Sequence, residues 1–171
     1  MIISLCGYMG AGKSTIGIEL SKVLNYTFVD VDYEIERKYN MSISDIFREY
    51  GEGYFRDIES KMILNYLDKY NNGELNNIIL SLGGGAVISN QNRENIKKFS
   101  KLVFLDCPFD VCYNRIKNSD RPIVKTKSYD ELKDHFISRR EYYLDSDFIV
   151  NCNQSVDRCV SEIINFIGVL K

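Results

Sequence analysis

Residues 7–15, GYMGAGKST, satisfy G-x-x-x-x-G-K-[ST] at every fixed position. That spacing suits the cradling of a polyphosphate. Glycines at 7, 10 and 12 let backbone N–H groups approach an anion, Lys13 can reach the β- and γ-phosphates, and the Ser14 hydroxyl can ligate Mg²⁺. Gly10, Ala11, Gly12, Lys13, Ser14 and Thr15 are the expected nucleotide contacts. A bare glycine turn is the alternative, and the flanks weigh against it. Residues 1–6 are an apolar run rich in β-branched side chains, whereas Ile16, Leu20, Val23 and Leu24 recur at helical spacing. Strand, loop and helix thus come in the order that turns a helix N-terminus toward an anion. The chain is expected to bind a nucleoside triphosphate.

Other charged residues fall where they could act on such a ligand. Residues 26–32, YTFVDVD, read as a strand running out into Asp30 and Asp32. At the carboxyl edge of an open sheet both would lie beside the loop, one serving Mg²⁺ through water and the other a substrate hydroxyl. Capping of a helix that starts near Tyr33 is an alternative use of the pair, and the two are compatible. Further on, Phe55, Ile58, Met62 and Tyr66 form one apolar helical face with Arg56 and Glu59 at i, i+3 along its border, a spacing that a surface salt bridge explains equally well. Gly83, Gly84 and Gly85 follow the apolar run 78–82. They would offer backbone N–H groups to a second anion or a polyol, unless they are only a flexible turn. Asp106 ends another apolar run and imitates a metal-binding carboxylate, but Pro108 favours a turn role, so it ranks below Asp30 and Asp32.

Residues 117–128, KNSDRPIVKTKS, form a polar, basic loop centred on Arg121-Pro122. Such a loop suits a mobile lid that brings an arginine to the phosphates. From Tyr129 a helix carries Leu132, Phe136 and Tyr143 on one face, with Arg139 in the middle of that stripe and Arg140 at its edge. An arginine aimed at an apolar face needs an anionic partner, from the protein or from a ligand.

The elements that must hold these residues follow from the pattern. Strands are expected near residues 2–6, 27–31, 78–82, 102–106 and 147–151, alternating with helices, which defines an α/β domain with a five-stranded parallel sheet covered on both faces. Ser42 and Ser44 resemble caps of a short helix bearing Ile46, Phe47 and Tyr50, which Gly51 and Gly53 interrupt before a longer helix. Residues 71–77 form a polar loop. Val156, Val160, Ile163, Ile164 and Ile167 stripe a last helix that should close the sheet's outer face.

The 171 residues suit one domain, and 27% charged residues with a net charge of −2 leave no basic excess for nucleic acid or an anionic membrane. No apolar run approaches the roughly 18 residues of a membrane span, and the glycine loop lies too near Met1 for a signal peptide, so the cytoplasm is expected. Cys6, Cys107, Cys112, Cys152 and Cys159 form no C-x-x-C pair and read as small core residues in a reducing compartment. His135, the single histidine, reads as a surface residue, and neither a zinc site nor a Ser-His-Asp triad is expected.

Taken in order, these residues resemble the shikimate kinase family over nearly the whole chain. The resemblance rests on GYMGAGKST, DVD at 30–32, FRDIE at 55–59, the glycine triplet, the RP of the lid, and R-x-x-x-Y from Arg139 to Tyr143. It implies a three-layer α/β/α P-loop kinase fold, a single domain over 1–171 with a substrate-binding helical region at about 33–60 and the lid at about 117–128. It also implies phosphorylation of the shikimate 3-hydroxyl by ATP with Mg²⁺ in aromatic amino-acid (chorismate) biosynthesis, by a monomer. Within that resemblance Asp32, Arg56, Gly83, Gly84, Gly85 and Arg139 hold shikimate. Lys13, Ser14 and Arg121 serve the phosphates, Arg115 lies on adenine, Ser14 and Asp30 serve the metal, and Lys13, Asp32 and Arg121 are catalytic. Between Tyr143 and Asp147 the spacing is one residue shorter than the family usually shows, which leaves Arg140 as a competitor to Arg139; that from Arg115 to Arg121 is also one residue short. Two other readings stay open: a kinase for another small polyol, gluconate-like, or for a nucleotide, and a non-enzymatic nucleotide-dependent switch. The switch would more naturally carry a guanine-reading N-K-x-D, and no such string occurs.

Overall fold

The computed structural model describes residues 1–168. In chain order its elements are β1 (Ile2–Cys6), α1 (Lys13–Leu24), β2 (Thr27–Asp30), α2 (Val31–Tyr39), α3 (Ile43–Asn71), β3 (Ile78–Ser81), a 3-10 turn at Ala86–Ile88, α4 (Asn90–Phe99), β4 (Lys101–Asp106), α5 (Phe109–Ile116), α6 (Pro122–Thr126), α7 (Tyr129–Leu144), β5 (Phe148–Asn151) and α8 (Val156–Ile167). All strand pairs are parallel, in the order β2-β3-β1-β4-β5. Every residue of β1 and β3 is buried, as are Leu102 to Leu105 of β4, because helices cover both faces of a parallel sheet. α1 packs with α8 and α3 with α4. Ser4, buried in the middle of β1, is tolerated because its hydroxyl meets that of Ser100 at 2.9 Å, which in turn donates to the Ile96 carbonyl.

The connection after β1 leads to one flank of the sheet and β4 returns on the other, so the strand order reverses beside β1. A crevice opens there beyond the carboxyl ends of the strands, where ligands of open α/β sheets collect. The glycine loop leaves β1 into it.

Several local expectations are corrected. β2 stops at Asp30, whose carboxylate accepts from the N–H groups of Asp32 and Tyr33 and so starts α2 two residues early. Asp32 therefore sits in the first turn of a helix and not at a strand end. α3 runs through 43–71 with a break at Gly51 (φ 82, ψ 169), so the expected short and long helices are present but abut. Ser42 caps it alone, while Ser44 donates to the carbonyl of Asp120 instead. Glu59, expected at the border of the apolar face, is fully buried, whereas Val23 is 54% exposed on the outer side of α1. The stretch 117–128 is not all loop: it contains the short helix α6, with Arg121 at the N-cap position and Pro122 at its first position, where a missing N–H costs nothing. His135 is half-buried, not a surface residue, because the Tyr8 hydroxyl lies 2.9 Å from its Nδ1. Burial, helped by Arg139 and Lys127, pulls the imidazole down to about 4, so it is neutral near pH 7.

Candidate active site

A cleft of about 590 Å³ opens along the carboxyl edge of the sheet, with the glycine loop as its floor. Gly7, Gly10 and Gly12 all adopt positive φ, which side chains disfavour. At Gly10 the space is also closed, since a Cβ there would stand 2.7 Å from the Cys112 carbonyl. Ala11 is buried, and Thr15 lies exposed on the lining. Lys13 curls back so that its ammonium donates to the carbonyls of Gly7 and Tyr8 at 2.9 and 3.0 Å. Burial lowers the pKa of that ammonium, with Asp32 opposing the shift and Arg121 adding to it.

Beside the lysine, the Ser14 hydroxyl donates to Asp30 Oδ2 at 2.8 Å, and Ser81 donates to the same oxygen at 3.2 Å. Asp30 thus caps α2 with one oxygen and presents the other to two hydroxyls. A hydroxyl and a carboxylate side by side are hard oxygen donors, and one or two of them beside a phosphate site suit Mg²⁺, which keeps most of its waters. Asp32 lies deeper, and its Oδ1 is buried with no partner. Burial and then Asp30 raise its pKa, while Lys13, Arg121 and Arg56 pull the other way. An orphaned buried acceptor at the foot of a phosphate cleft fits a ligand hydroxyl that brings its own proton. Arg121 reaches the same cleft from the start of α6.

Arg115 projects from α5 and donates to the Gly10 carbonyl at 2.8 Å, at the far end of the cleft. Cys152 and Gln154 of the β5–α8 connection and Val156 and Cys159 of α8 line the cleft as well. Gln154, Ser81 and Tyr33 line the cleft too, outside every motif of the sequence. Only Ser81, directly before the glycine triplet, carried a positional hint.

On the other side of Asp32 stands a second charged group. Arg56 donates from Nη1 to Glu59 Oε2 at 2.7 Å, and from Nε and Nη2 to Glu52 Oε1 at 3.3 and 3.1 Å. Burial pushes the Glu59 carboxyl up to about 7 against the pull of Arg56. Arg56 stays a cation: burial works against its charge, and Glu59 and Glu52 more than restore it. This explains the glycine triplet differently from the expectation of bare N–H groups. A Cβ on Gly85 would stand 2.5 Å from the Arg56 guanidinium, and one on Gly83 would collide with the Glu59 carboxylate and crowd Asp32. The side chains vacated at 83 and 85 make room for the charges.

The two arginines of α7 diverge. Arg139 donates to the Gly84 carbonyl at 3.2 Å, which also accepts from the Tyr143 hydroxyl at 2.5 Å. Arg140 turns away and pairs with Asp106 at 2.6 Å. That pair occupies both Arg140 and Asp106, and the cleft lining reaches this side through Asp32 and Gly84, with Arg56, Arg139 and Arg140 all outside it. Arg139 and Arg56 are thereby both brought to the glycine triplet, beside Asp32.

A parallel sheet with a reversal beside β1, a glycine loop feeding α1, an arginine at the start of a short helix in the same cleft and a buried aspartate oxygen without a partner define a P-loop kinase of small molecules. The family model described as shikimate kinase matches residues 9–168. A shikimate kinase from Macrococcus caseolyticus is 39% identical over 98% of this chain and 96% of its own, and one from Persephonella marina is 38% identical over 95% and 96%. Among solved structures, a shikimate kinase from Acinetobacter baumannii in complex with shikimate superposes with a TM-score of 0.89 at 30% identity, covering 99% of this chain and 95% of that one. The chain belongs to the shikimate kinase family. Among the described residues no helix is long and apolar enough to cross a membrane.

Proposed function

We propose that this chain transfers the γ-phosphoryl group of ATP to the 3-hydroxyl of shikimate, yielding shikimate 3-phosphate and ADP, as a monomeric cytoplasmic enzyme of chorismate biosynthesis. The observation that carries this reading is the buried, unpartnered Oδ1 of Asp32 between the phosphate loop and the Arg56–Gly85 contact. Family membership supplies the identity of the acceptor.

In this reading the N–H groups of the glycine loop, from Gly10 to Thr15, hold the polyphosphate. Lys13 leaves the carbonyls of Gly7 and Tyr8 for phosphate oxygens, Arg121 supplies a second cation, and Arg115 covers the base. Ser14 and Asp30 would hold Mg²⁺, which neutralises charge on the β- and γ-phosphates. Arg56 and Arg139 receive the acceptor's carboxylate by forked hydrogen bonds. Asp32 accepts a hydrogen bond from the attacking hydroxyl and takes its proton as the new P–O bond forms and the bond to ADP breaks. A pKa raised by burial makes Asp32 a better base than an exposed aspartate.

The test is ADP release by purified protein with shikimate, gluconate or nucleoside monophosphates as acceptor. Turnover is expected with shikimate alone. Turnover only with another acceptor assigns the enzyme to that substrate, and hydrolysis without any acceptor turnover favours a nucleotide-dependent switch.

Residues 33–60 form the acceptor region in this scheme, and 117–128 close over bound nucleotide to exclude water. Amide hydrogen exchange in 117–128 should slow when ADP and shikimate are added together. No change there removes the lid from the mechanism.

A further inference from the structure

Arg56 has five N–H donors, and the structure uses them unequally. Nη1 meets Glu59 at 2.7 Å, and the Glu59 side chain is 0% exposed, so this edge is locked into the interior. Nε and Nη2 form the outward fork, the edge that matches a carboxylate in bidentate fashion. Glu52 already occupies it, yet loosely. One oxygen, Oε1, accepts from both nitrogens, at 3.3 and 3.1 Å, where a charge-assisted bond prefers 2.7–2.9 Å. The Glu52 side chain is 59% exposed. It follows directly on Gly51, whose φ of 82 breaks α3 and around which a Cβ would meet nothing within 4 Å, and it precedes Gly53, which is equally open. A carboxylate between two unencumbered glycines, at the start of the second half of α3, can swing away at little cost.

We propose that Glu52 is a built-in carboxylate competitor: it holds the outward fork of Arg56 until the acceptor arrives and is displaced by the acceptor's own carboxylate. This rests on the acceptor assignment above and adds to it a residue that sets specificity. Until then the guanidinium keeps a counter-charge. A neutral polyol offers Arg56 nothing that replaces Glu52, whereas a carboxylate reaching both Arg56 and Arg139 replaces it and gains a second cation. Discrimination then arises from an occupied site as well as from attraction.

The measurement is steady-state kinetics and calorimetric shikimate binding for wild type and Glu52→Gln, which keeps the side chain's size and removes its charge. KM and Kd for shikimate should fall about two- to fivefold, the span that an exposed ion pair of up to about 1 kcal/mol allows, with kcat and the KM for ATP near wild type. Binding of the methyl ester of shikimate, which has no carboxylate to exchange for Glu52, should not tighten in the same variant. If Glu52 merely braces Arg56, Glu52→Gln raises KM for shikimate, and that result overturns the proposal, as does an unchanged KM or equal tightening for the ester. These failures leave wild-type turnover of shikimate intact. A wild-type enzyme that does not phosphorylate shikimate overturns the acceptor assignment, and this inference falls with it.

Discussion

Alanine in place of Arg56 or Arg139 is expected to lower kcat/KM for shikimate by roughly 10²- to 10³-fold, while the affinity for ADP stays near wild type. The magnitude corresponds to about 3–4 kcal/mol, within the usual penalty when one partner of a buried charge pair is removed. In the proposed reading the stranded charge is the substrate's carboxylate. The two variants should differ in stability. Arg56 is the hydrogen-bonded partner of Glu59, whose carboxylate is fully buried and has a second oxygen without any partner. Removing Arg56 therefore leaves a buried carboxyl that must take up a proton, and Tm should drop. Arg139 contacts a backbone carbonyl that Tyr143 also satisfies, so its loss should spare Tm. Full activity in both variants would withdraw the carboxylate assignment, and a fall confined to KM for ATP would relocate the arginines to the nucleotide.

Lys13→Ala is expected to reduce kcat by at least about 10²- to 10³-fold, because phosphoryl transfer is accelerated almost wholly by positioning and charge. The ammonium at present donates to two carbonyls of its own loop and sits where burial disfavours its charge more than Asp32 restores it. A polyphosphate would be its best available counter-charge, so the interaction is worth most when negative charge spreads onto the γ-phosphoryl oxygens. Calorimetric binding of shikimate to Lys13→Ala should persist, which separates a lost phosphate contact from a collapsed cleft. Retained turnover in this variant would remove the glycine loop from the chemistry.

The phosphate loop was legible in the sequence because all its parts lie within nine consecutive residues, and backbone N–H groups that close together in the chain have few ways to point. The strands were legible for a related reason. A parallel strand covered on both faces is apolar along most of its length, and β1, β3 and β4 show such runs, with Ser4 a hydrogen-bonded exception in β1. The start of α2 was misplaced because Asp30 belongs to both elements: its carboxylate ends β2 by capping α2.

What only the tertiary structure decided concerns pairs far apart in sequence. Arg139 and Arg140 are neighbours about 100° apart on a helix, and their roles separate because Gly84 lies under one and Asp106 under the other, 55 and 34 residues away. The i, i+3 spacing of Arg56 and Glu59 reads alike for a surface pair and a buried one. Burial is settled by α2, α4 and the 3-10 turn, which pack on α3, and by glycines at 83 and 85, which leave space for two carboxylates and a guanidinium. His135 likewise looked solvated until Tyr8, 127 residues distant, met its ring. Periodicity records which residues share a face, but the charge state and partner of a residue on that face depend on what the rest of the chain places against it.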